Sequence, residues 1–167
     1  MNIEIQSLIQ ENFMYKNILC AIDGSTTSNA GLQEAIHLAK DLNATLRLIH
    51  VVDMYVPMII SSMEFSPDFS DDVARESGKH LLHNAITVAQ QEGVTCDSRM
   101  IESKGKPVSG YIVDYAAEWP ADLIVLGTHG LKGIYRLVMG SDAENVVRYC
   151  NTPVLLVKEP NSSQHGQ

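Results

Sequence analysis

Residues 127–141 read G-T-H-G-L-K-G-I-Y-R-L-V-M-G-S and hold the densest group of glycines in the chain, at 127, 130, 133 and 140. A glycine has no Cβ, so its backbone N–H can turn toward a ligand and approach it closely. Lys132 and Arg136 lie within the stretch and no Asp or Glu does, an island of positive charge in a chain whose net charge is 12 − 20 = −8. Ser141 followed by Glu144 fits the capping box S-x-x-E, which predicts Ser141 as the N-cap of a helix. A helix start offers unpaired N–H groups and a partial positive charge, which together attract phosphate. The combination points to a phosphate cradle. A glycine-rich turn leading into an ordinary capped helix explains the glycines as well, and the residues alone leave both readings open.

Other chemistries find less support. No G-x-x-x-x-G-K-[ST] is present, and the glycines at 127, 130 and 133 do not form the dinucleotide pattern G-x-G-x-x-G. No G-x-S-x-G elbow supports a Ser-His-Asp triad. His129, inside the glycine run, is placed to touch phosphate, but no carboxylate is obviously placed to orient it for proton transfer. His80 and His83 stand three apart on a predicted helix with no third metal ligand, which reads as a solvated face. His50 falls within a strand and reads as packed or hydrogen-bonded. Asp23, in Asp23-Gly24-Ser25, reads as a turn or helix-capping residue unless a ligand claims it.

The elements that must position these residues alternate. Apolar strand-like runs at 17–22, 45–52, 123–126 and 154–157, and a more alternating, edge-like run at 94–101, are separated by helical patterns. Leu32, Ala35, Ile36 and Ala39 mark the first helix, Leu81, Leu82, Ala85 and Ala89 the second, Val108, Tyr111, Ile112 and Tyr115 the third, and Ala143, Val146, Val147 and Cys150 the fourth. Pro107 suits the first turn of the third helix. This β-α-β-α-β-α-β-α-β order predicts a five-stranded, doubly wound α/β sandwich with a parallel sheet covered on both faces. Ligands of such sheets bind beyond the carboxyl ends of the strands, here near Asp23, Val51 and Gly127. Residues 1–14 form an N-terminal extension, residues 54–70 an unusually apolar loop carrying Pro57 and Pro67, and residues 159–167 a flexible tail.

Composition narrows the classes further. A chain of 167 residues with 45% hydrophobic and 19% charged residues is one globular domain. Its acidity argues against a nucleic-acid partner, and no apolar run approaches the ~20 residues of a membrane span. The opening Met1-Asn2-Ile3-Glu4 does not look like a secretory signal. Cys20, Cys96 and Cys150 are odd in number and lack C-x-x-C spacing, which predicts reduced thiols and a cytoplasmic location, with Cys20 and Cys150 in the core.

Gly127, two residues, Gly130, nine residues, Gly140 and Ser141 resemble the nucleotide-binding signature of the universal stress protein family. Residues 15–19 with 21–25, residues 48–52, Gly105-x-Pro107 and residues 151–157 resemble other parts of that family, so the likeness covers about residues 14–158 and assigns 15–158 as one domain. The resemblance implies a Rossmann-like, adenine nucleotide alpha hydrolase-like three-layer sandwich with strand order 3-2-1-4-5. It implies ATP as ligand, with ADP or AMP as competitors, and Mg²⁺ held by the phosphates rather than by a protein cage. Asp23 and Val51 would contact adenine and ribose. Gly127, His129 and Gly130 would line the ribose and first phosphates. Gly140 and Ser141 would hold the later phosphates through backbone N–H and the hydroxyl. Asp142 departs from expectation: a carboxylate there would repel the terminal phosphate, help hold a metal, or face solvent.

The last strand, Val154, Leu155, Leu156 and Val157, is an apolar edge, and pairing with a second copy about a twofold axis would cover it; the resemblance implies the same homodimer. The expected function is a cytoplasmic, homodimeric nucleotide sensor of the stress response that acts on a protein partner. No base or arginine finger can be named for fast catalysis, so hydrolysis is expected to be slow or absent. The alternatives are a nucleotide-activating enzyme on the same fold and a nucleotide-free interaction module.

Overall fold

The short apolar runs become strands because each can be covered on both faces. The computed structural model describes residues 15–54, 67–128 and 139–158. Among these, five strands, β1 (Asn17–Ala21), β2 (Thr45–Asp53), β3 (Cys96–Ser103), β4 (Leu123–Gly127) and β5 (Val154–Val157), form one parallel sheet in the order β3-β2-β1-β4-β5. Four helices accompany them: α1 (Thr26–Leu42), α2 (Pro67–Gln91), α3 (Val108–Glu118) and α4 (Ser141–Tyr149). The α/β sandwich and the strand order 3-2-1-4-5 are those expected from the sequence.

Alternation along the strands divides the core in two. Ile18 and Cys20 of β1, Leu46 and Leu48 of β2, and Leu123 and Val125 of β4 face Leu32, Ala35, Ile36 and Ala39 of α1 and Leu82, Ala85 and Ala89 of α2. Leu19, Ile49, Ile124 and Leu126 face Ile112 and Ala116 of α3 and Val146 of α4. On this second face, Arg47 joins Asp97 of β3, donates to the Tyr115 hydroxyl at 3.2 Å and lies 4.7 Å from the Trp119 ring centre, which ties α3 to the sheet.

Two boundaries differ from expectation. The loop 54–70 is shorter at its far end, because α2 begins at Pro67 and residues 67–70 belong to it. Proline needs no donor in a first helical turn; the proline that reads as a loop residue opens a helix. Pro107 is the N-cap of α3 rather than a residue of its first turn. The extension 1–14, the tail 159–167 and loop residues 55–66 lie outside the described residues.

Candidate functional site

β1 sits at the centre of the sheet. The chain leaves it toward β2 on one side, and β4 lies on the other, so connections diverge between the carboxyl ends of β1 and β4. Helix α1, which follows β1, covers one face, and α4, which follows β4, covers the other. Such a divergence opens a crevice at the strand ends.

The β1 side of the crevice is a tightly bonded turn. Asp23 N–H donates to Ser28 Oγ at 3.0 Å, and Asp23 Oδ1 accepts from Ser25 N–H at 3.0 Å. Gly24 takes φ +83°, a conformation that favours glycine. Ser25 caps α1, accepting from Ser28 N–H at 3.2 Å. Asp23 is therefore a turn residue, half-buried at the strand end. His50 reinforces the turn from β2: its Nδ1 lies 2.8 Å from the Ile22 carbonyl, and because a carbonyl only accepts, the proton is on Nδ1. Val51, one residue on, is half-buried beside the α3–α4 core.

The β4 side begins at Gly127. A Cβ there would stand 2.6 Å from the Thr27 carbonyl carbon and 2.7 Å from Ser28 N. The first turn of α1 occupies that space, so Gly127 is a close-packing glycine whatever its backbone offers a ligand. Thr128, 7% exposed, closes the loop that follows: its N–H donates to Val157 O, and its carbonyl accepts from Gly140 N–H, both at 2.9 Å. Spacing gave no reason to single out Thr128, since its role is to join β4, β5 and the start of α4 in space.

One expectation is corrected at the start of α4. Gly140, not Ser141, is the N-cap; its carbonyl accepts the first helical bond, from Glu144 N–H at 3.0 Å, and no side chain caps the helix. The Gly140 N–H donates to Thr128 O at 2.9 Å. The donors left at this corner are the N–H groups of Ser141, Asp142 and Ala143, which have no protein acceptor among the described residues. The Ser141 hydroxyl is exposed beside them. Asp142 is half-buried, and its Oδ1 accepts Ser109 N–H at 3.0 Å. His129, Gly130, Lys132 and Arg136 lie outside the described residues.

The remaining candidates fall into place as packing or surface. His80 and His83 are exposed on α2. The three cysteines are free; Cys20 is fully buried, while Cys96 and Cys150 are half-buried. An open groove of about 400 Å³ between β3 and α3 is lined by Arg99, Glu102, Lys104, Lys106, Tyr111 and Asp114 among others. Its Lys106 pairs with Asp114 and lies over Tyr111.

A family model described as the universal stress protein family matches residues 14–158. The chain belongs to this family. A universal stress protein of Methanocaldococcus jannaschii is 36% identical over 147 residues, covering 88% of this chain and 84% of that protein. A crystal structure of a universal stress protein family member from Burkholderia pseudomallei superposes with a TM-score of 0.71 at 33% identity, covering 87% of this chain and 98% of that one. A universal stress protein crystallised in complex with cAMP superposes with a TM-score of 0.61 at 26% identity, covering 88% and 99%.

This member of the universal stress protein family offers no protein cage for a metal among its described residues, where no group of three His, Cys, Asp or Glu side chains converges. Asp142, the acid nearest the corner in sequence, is engaged by Ser109. No described helix is long and apolar enough to cross a membrane.

Proposed function

We propose that this universal stress protein binds an adenine nucleotide, ATP first among them, in the crevice between the carboxyl ends of β1 and β4. The observation that carries the reading is the start of α4, where the Ser141, Asp142 and Ala143 N–H groups point out of a helix end with no protein acceptor among the described residues. Asp23 and Val51 would face adenine and ribose, with Gly127, His129 and Gly130 beside the ribose and first phosphates. Ser141 would meet the later phosphates through its amide and hydroxyl, and Gly140 would shape the turn rather than donate. Because the Asp142 carboxylate is engaged by Ser109, it gives no reason to prefer ADP or AMP over ATP. The cAMP complex of a relative at 26% identity supports an adenine ligand. Mg²⁺ would accompany the phosphates.

The same proposal makes the protein a cytoplasmic homodimer, paired through Val154, Leu155, Leu156 and Val157, whose nucleotide occupancy is read by a protein partner under stress, with hydrolysis slow or absent. The test is to purify the protein, denature it by heat and identify what it releases, then titrate the stripped protein with ATP. Released adenine nucleotide, or saturable ATP binding without rapid turnover, supports the reading. An empty protein that fails to bind millimolar ATP overturns it in favour of an interaction module, and consumption of ATP coupled to a second substrate overturns it in favour of an activating enzyme.

A further inference from the structure

Helix α3 begins without a cap of its own. Its N-cap is Pro107, which has no side-chain acceptor, and no local side chain bonds its first turn. The Gly110 N–H finds Pro107 O at 3.0 Å, but the Ser109 N–H points elsewhere. Ser109 is only 4% exposed, and a buried N–H left without a partner is costly. The acceptor comes from another helix: Asp142 Oδ1, in the first turn of α4 and 33 residues away, lies 3.0 Å from it. One carboxylate therefore joins the starts of two helices. Its charge meets the positive end of α3, while the neighbouring amides at the start of α4 keep their own partial positive charge.

We propose that Asp142 is a positioning residue for the anion-binding corner, an inference that rests on the nucleotide reading above. By clamping the first turn of α4 to α3, it fixes where the Ser141, Asp142 and Ala143 amides point, and it holds its own negative charge on α3 instead of against the phosphate. The Asp142 carboxylate thus acts on affinity without touching the ligand, and its effect is confined to ligands that carry phosphate.

The experiment compares AMP and adenosine binding by calorimetry for the unaltered protein and for Asp142→Ala, Asp142→Asn and Asp142→Glu, with thermal melting alongside. Asp142→Ala is expected to weaken AMP about fivefold, the effect of losing one cap, and to leave adenosine unchanged. Asp142→Asn keeps an acceptor at the same reach and restores AMP affinity. Asp142→Glu keeps the charge, moves it one methylene farther, and weakens AMP alone; this variant decides the matter if the alanine protein does not fold. A lower melting temperature with unchanged AMP affinity would reduce Asp142 to a structural cap and overturn the proposal. So would tighter AMP binding by both the alanine and asparagine proteins, which would place the carboxylate against the phosphate. An unaltered protein that binds neither ligand removes the nucleotide reading, and this inference with it.

Discussion

Cys20 lies in the middle of β1 with no exposed surface, and burial pushes its thiol up to about 12, with a smaller push from Cys96. Burial, and then the nearby Asp97, push the Cys96 thiol up to about 12 as well. Only the thiolate attacks a disulfide reagent, so a rise of this size from 9.0 cuts the reactive fraction at pH 8 on the order of a thousandfold. Titration of the native protein with a chromogenic disulfide at pH 8 should therefore leave Cys20 and Cys96 slow, whereas in denaturant all three cysteines react. Rapid native labelling at Cys20 would show that β1 opens. The sign of the pH dependence follows from the same shift. A folded thiol that holds its proton to higher pH than the unfolded one contributes stability that is present below about pH 9 and lost as pH rises toward 12.

At the scale of elements, the crevice depends on how closely α1 meets β4. The α-carbon of Gly127 rests on the Thr27–Ser28 backbone, and Gly31 on α1 returns the contact, its missing Cβ 3.2 Å from Gly127 N. Gly127→Ala would force a methyl against backbone atoms that cannot rotate away, and the first turn of α1, with its Ser25 cap, would have to shift. The expected cost is about 3 kcal/mol in urea unfolding; a loss below about 0.5 kcal/mol would mean that α1 yields freely. This contact also shows where sequence reasoning stops. The strands and apolar helix faces were readable because periods of 2 and 3.6 are local properties, and the turn at Asp23 because Asp-Gly-Ser carries its own geometry. Gly127, by contrast, reads as part of a phosphate-binding run, since nothing within its own segment announces the helix packed on it from a hundred residues earlier. The Gly140 amide taken by Thr128, and the Asp142 carboxylate taken by Ser109, are likewise partners that only the assembled sheet brings together. Proline misled in the other direction: Pro67 looks like loop and begins α2.

For the whole molecule, the two edges of the sheet are unlike. The first half of β3 alternates the exposed Asp97 and Arg99 with half-buried residues, and charged side chains at an edge discourage further pairing. β5 is Val-Leu-Leu-Val, every residue half-buried, with no charge along it. Its bonds to β4 are made from alternate residues: Pro153 O accepts from Ile124 N–H and Val157 O from Thr128 N–H, both at 2.9 Å. Residues of one parity thus face β4, and the backbone groups of Val154 and Leu156 face outward, where a second copy would pair. Leu156→Pro removes one outward donor without removing a bond to β4, and its ring obstructs an approaching strand. If the proposed dimer forms through this edge, sedimentation should give the unaltered protein twice the chain mass of 18.4 kDa and the proline variant the chain mass itself. The variant also gives up part of its packing beside Val146 and Ile124, a loss of about 2 kcal/mol that leaves a folded monomer. A proline variant that stays folded at twice the chain mass would move the interface elsewhere, and an unaltered protein at 18.4 kDa would leave this apolar edge to a different partner.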